Sequence, residues 1–132
     1  MASHFKLFCR TLTNLSDIYC YDSPYDNVVT MGLVGLFTLC FDQSWKAVKE
    51  VLAQQGFPES QTGSPRQILK TAYQAGMLRN QDLWLNALAA RNNVSHAYNP
   101  DVALDIIHQT KESFYGMFID LRDEIDRNWL LD

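Results

Sequence analysis

Residues 28–57 read VVTMGLVGLFTLCFDQSWKAVKEVLAQQGF. No period-two alternation runs through them, and apolar residues recur at helical steps, so the stretch predicts one long helix. It starts after Asp26 or Asn27 and runs to about Gln55. The first half is apolar nearly all round; the second is amphipathic through Trp45, Val48, Val51 and Leu52. A helix of that composition belongs at the centre of an all-α fold. Its stop is equally marked: Gly56 suits a left-handed residue, Phe57 can pack back on Leu52, and Pro58 blocks continuation.

Upstream, Phe5, Phe8, Leu12, Leu15 and Tyr19 recur every three or four positions. They predict a first helix with Ser3 as N-cap and an end near Tyr21. Downstream, Ser64, Pro65 and Gln67 form a helix start, with a cap, a first-turn proline and a capping-box partner. That third helix carries Ile68, Leu69, Ala72 and Tyr73 and stops at Gly76. Asn80 caps a fourth, with Leu83, Trp84, Ala87 and Leu88, ending near Val94. Asn99 and Pro100 open a long fifth helix whose buried stripe is Ala103, Ile107, Phe114, Met117, Leu121 and Ile125. The expected fold is all-α, an antiparallel bundle of four to five helices.

At 132 residues with 47% apolar content, the chain fits a single domain over 1–132. A net charge of −4 excludes broad, nonspecific coating of nucleic acid, so any such chemistry must be local. Cys9, Cys20 and Cys40 are odd in number and form no CxxC pair, the pattern of reduced, cytoplasmic thiols. The N-terminal residues lack a continuous apolar signal core. The apolar run Val28–Phe41 is broken by Thr30, Gly32, Gly35 and Thr38 and is short for a bilayer, so no membrane role is expected. Met31, Val34, Leu36 and Leu39 nevertheless cannot all point inward without crowding. Either this helix lies in the middle of its own bundle or part of it faces a second subunit.

Polar chemistry concentrates in RNNVSHAY, residues 91–98. His4, His96 and His108 have neither zinc-ligand spacing nor a cysteine pair, and no phosphate-cradling glycine loop exists, so no metal or cofactor is expected. Arg91 and His96 lie roughly 140° apart on an ideal helix, so they converge only if the helix ends between them or two chains contribute. Asn92 and His96, like Arg91 and Ser95, become neighbours if the last turn stays helical. These residue types suit metal-free RNA cleavage, a histidine moving the 2′-hydroxyl proton and an arginine steadying the phosphate. They equally suit a capped helix junction. Arg66, Lys70, Arg79 and Arg91 are candidates for a local basic rim.

From about Phe41 to Tyr98, and on into the start of the fifth helix, the chain resembles the nucleotidyltransferase substrate-binding protein family, a branch of the HEPN superfamily that includes HepT-like toxins. The resemblance rests on FDQSWKAVKEVLAQQG, SPRQILKTAYQAGML, DLWLNALAARNNVSHAY and NPDVALDII. Arg91, His96 and Tyr98 take the places of an R-x4-H-x-Y pattern. The resemblance implies a homodimer whose R-x4-H segments share a cleft, a minimal nucleotidyltransferase as partner, and a heterotetramer of the two. It implies either a metal-independent RNase, with Arg91 and His96 catalytic, Asn92 and Ser95 supporting them and Tyr98 the adenylylation site, or a non-catalytic substrate- or nucleotide-binding subunit. RNA or a nucleotide is then the ligand. The segment GLVGLFTLC and the pair Asp42-Gln43 depart from the family's usual polar, glutamate-led sequence.

Overall fold

The computed structural model describes residues 3–57 and 63–130. Its described elements are all helical: α1 (Ser3–Leu15), a 3-10 turn (Ser16–Cys20), α2 (Asn27–Gln54), α3 (Pro65–Gln74), α4 (Gln81–Asn92), a second 3-10 turn (Asn93–His96), α5 (Pro100–Gln109), a π turn (Thr110–Phe114) and α6 (Tyr115–Asn128). The predicted helix starts are present. Asp26, Ser64 and Asn80 each accept a hydrogen bond from the backbone N–H three residues on, and Asn99 accepts from Asp101 N. Four donors that the helices leave orphaned are thereby satisfied.

Two stops share one geometry. Gly56 and Gly76 have φ of 86° and 88°. The amides of Phe57 and Met77 then reach back to the carbonyls of Leu52 and Ala72 at 3.1 and 2.9 Å, the Schellman closure. Pro58, read as a block to continuation, lies outside the described residues.

The centre of the bundle is aromatic. Phe37 of α2 stacks on Phe114 at 5.5 Å and meets Phe41 and Phe118 at 6.2 and 6.4 Å, and Trp84 of α4 abuts Phe118 edge-on at 5.6 Å. All five rings are buried. Each such pair contributes about 0.5–1.5 kcal/mol beyond its buried area. The predicted stripe of the last helix is buried throughout, but the rod is interrupted. A π turn at Thr110–Phe114, where the buried Thr110 hydroxyl donates to the Ile106 carbonyl at 2.7 Å, joins α5 to α6. The extra residue in that turn rotates the buried face, so α5 packs on α2 and α6 on α1.

Three expectations are corrected. Ser3 is already helical, and its hydroxyl donates to Glu50 of α2 instead of capping. Tyr19 is exposed and Ile18 buried, because the chain tightens to 3-10 geometry after Leu15 and puts the third residue on the inner face, not the fourth. Tyr73 is also exposed.

Within its own bundle, α2 is only partly enclosed. Val34 is buried, but Val28, Met31 and Leu39 are 80%, 39% and 59% exposed. By length and composition alone, α2 is also long and apolar enough to cross a membrane, with a mean hydropathy of 1.3 over its most apolar window. The shorter apolar run Val28–Phe41 is the first half of this helix.

Candidate functional site

The site is built where α4 ends. Its last turn carries Arg91, and α2 places Asp42 opposite. Arg91 donates from Nε to one Asp42 carboxylate oxygen at 2.8 Å and from Nη2 to the other at 3.1 Å. This is a bidentate, charge-assisted fork on two half-buried side chains. The hydrogen bond it donates to Asp42 pushes the Arg91 pKa above the ordinary guanidinium value, so the side chain is a permanent cation. Two of its five N–H groups are engaged, which leaves Nη1 and the second proton of Nη2 directed away from Asp42.

Beyond Asn92 the chain tightens into a 3-10 turn that ends at His96. Residues three apart then eclipse, so the neighbour of His96 is Asn93, not Asn92 as continued α-helix would require. His96 and Asn93 line an open cavity of about 590 Å³, walled on the far side by Asp105 and Gln109 of α5, which are hydrogen-bonded to each other at 2.7 Å. The His96 and Tyr98 rings meet edge-on at 6.3 Å. Tyr98 is 81% exposed. Ser95 is exposed, and its hydroxyl has no partner among the described residues.

Arg91 opens elsewhere. It lines a cavity of about 310 Å³ with Asp42, Trp45, Lys46 and Pro65. A neighbouring cavity of about 330 Å³ adds Ser64 and Arg66 from the start of α3, and the two share Pro65, Leu88 and Asn92. They are therefore one groove between α2, α3 and α4. Asn92 also lines the His96 cavity, so it stands on the wall between the two sides. Within one chain, Arg91 and His96 do not face a common cavity.

The expected basic rim divides. Arg66 and Arg91 share the groove, whereas Arg79 lies at the other end of α4, at a cavity of about 350 Å³ floored by Trp84 and Met117. Trp45, on the apolar face of the amphipathic half of α2, is half-buried at the groove, and the nearest sequence signal is that charged Asp42 and Lys46 lie close to it on the same helix. Among the described residues, no three His, Cys, Asp or Glu side chains gather as metal ligands.

A family model described as nucleotidyltransferase substrate binding protein like matches residues 3–127, so the match takes in α1 and nearly all of α6 as well as the stretches quoted above. No curated protein matches the chain.

Proposed function

We propose that this chain, which belongs to the nucleotidyltransferase substrate binding protein like family, is the subunit that holds a phosphate-bearing substrate for a nucleotidyltransferase partner. The supporting observation is the Asp42–Arg91 fork. A guanidinium fixed along one edge by a carboxylate presents its other edge as a ready fork for phosphate. Arg91 is the anchoring cation, and Asn92 is an amide within reach of the same groove. The test is calorimetric titration of ATP into wild type and Arg91→Gln. The expected result is binding by wild type and at least tenfold weaker binding by the variant; equal binding would overturn the reading.

The second reading is a metal-independent RNase of the HEPN type, and the observation that favours it is the exposure of His96 beside Tyr98. The chemistry requires two copies, with Arg91 of one beside His96 of the other. His96 would take the proton of an RNA 2′-hydroxyl. The freed oxygen attacks phosphorus, the bond to the 5′-oxygen breaks with that oxygen taking a proton, and a 2′,3′-cyclic phosphate remains. The exposed apolar face of α2 is suited to such a dimer. Incubation of RNA without added metal decides this point. Cleavage by wild type and not by a folded His96→Ala variant supports the RNase, and intact RNA in both removes it.

A further inference from the structure

The groove beside Arg91 contains more than a phosphate holder needs. Trp45 places a half-buried indole in it, with Pro65 also in the lining. Lys46 and Arg66, from α2 and the first turn of α3, add two cations that form no ion pair among the described residues. The indole N–H of Trp45 and the amide of Asn92 likewise have no hydrogen-bond partner among the described residues. Three cations against one carboxylate make this stretch locally positive on a chain whose net charge is −4. The two connected parts, about 310 and 330 Å³, have the dimensions of small-molecule sites.

From this juxtaposition we infer that the groove binds a nucleoside phosphate, with the base on the indole of Trp45 and the phosphates among Lys46, Arg66 and the outer edge of Arg91. A planar apolar surface next to converging cations matches a ligand that carries an aromatic base at one end and several negative charges at the other. Free polyphosphate would use the cations and leave the indole without a role. Asn92 is the group able to hydrogen-bond a base edge or ribose hydroxyl. The inference rests on the binding reading above and gives it a ligand class and a seat.

The experiment is isothermal titration of the full chain, without added metal, with ATP, tripolyphosphate and adenosine as probes. Wild type is expected to bind ATP at least tenfold more tightly than tripolyphosphate. Trp45→Ala is expected to remove that tenfold advantage while leaving tripolyphosphate binding unchanged, and Trp45→Phe to restore most of it. Lys46→Gln and Arg66→Gln are expected to weaken ATP and tripolyphosphate alike, each severalfold. Circular dichroism on every variant verifies the helices, and Trp45→Leu, which keeps much of the volume but no aromatic face, keeps the test open if Trp45→Ala does not fold. ATP binding that ignores Trp45→Ala or Trp45→Leu, Lys46→Gln and Arg66→Gln overturns this seat but not the binding reading. No ATP binding by wild type overturns both. Tripolyphosphate binding as tight as ATP overturns the nucleoside assignment alone.

Discussion

Asp42 and Arg91 lie 49 positions apart in sequence and meet edge to edge, both carboxylate oxygens accepting from one guanidinium at 2.8 and 3.1 Å. The pair ties the middle of α2 to the last turn of α4. Asp42→Asn keeps the shape and removes the charge, and because the pair is about one third exposed the expected loss is modest, about 1 kcal/mol. Thermal unfolding should move down by about 3–5 °C. An unchanged melt in Asp42→Asn, or no coupling in a double-mutant cycle with Arg91→Gln, would show that the fork contributes nothing to the fold.

Alkaline sensitivity should come from a different place. The Arg91 pKa is raised, so its contribution is fully present below the ordinary guanidinium value and cannot fade in the mildly alkaline range. Cys40 is fully buried on α2, and desolvation pushes its thiol up from 9.0 to about 12. A group that holds its proton more tightly when folded contributes stability below its unfolded pKa and loses it as pH rises through the folded one. Stability should therefore decline from about pH 9 toward pH 12. Urea melts at pH 7, 9 and 10.5 on wild type and Cys40→Ala test this. The variant should be weaker at neutral pH but decline less steeply, and parallel declines would remove Cys40 as the cause.

Two glycines should respond to alanine with opposite signs. Gly76 has φ of 88° at the end of α3, a conformation that costs an L-residue about 1–2 kcal/mol. Gly116 is helical in α6, and an added Cβ there would meet nothing within 4 Å. Gly76→Ala should destabilise by about 1 kcal/mol and Gly116→Ala stabilise by about 0.5–1 kcal/mol. Denaturant midpoints read both, and a shift of the same sign in the two variants would contradict the assignment.

The outer face of α2 predicts association. Val28, Met31 and Leu39 are exposed, and Asp42 follows Leu39 by one helical turn, so a second copy seated on this stripe would approach Arg91. Sedimentation velocity on wild type should report a dimer, and Leu39→Glu, with a charge at a 59% exposed position, should yield a folded monomer. A monomeric wild type, or a dimer indifferent to Leu39→Glu, would assign that face to another role.

Helix ends were legible in the sequence because they depend on local chemistry. Asp26, Ser64, Asn80 and Asn99 each satisfy a nearby amide, and Gly56 and Gly76 each supply the left-handed residue. The π turn at Thr110–Phe114 was not legible, since a stripe at steps of three and four reads as uninterrupted helix. The site was half legible. Residue types drew attention to Arg91, Asn92, Ser95, His96 and Tyr98, but Asp42 and Trp45 reach the groove through the packing of α2 on α4, which no local pattern encodes. Spacing allowed Arg91 and His96 to converge if the helix ended between them; α4 does end between them, at Asn92, and the two side chains line different cavities.

Arg91, in the last turn of α4, lines one cavity, and His96, at the end of the 3-10 turn that follows, lines another. The His96 cavity and the Arg91 groove are thus lined by different chemistry, an imidazole on one and a forked guanidinium on the other. Because Asn92 and Ala89 line both the groove and the His96 cavity, linkage between the two occupancies would be expected to pass through these residues.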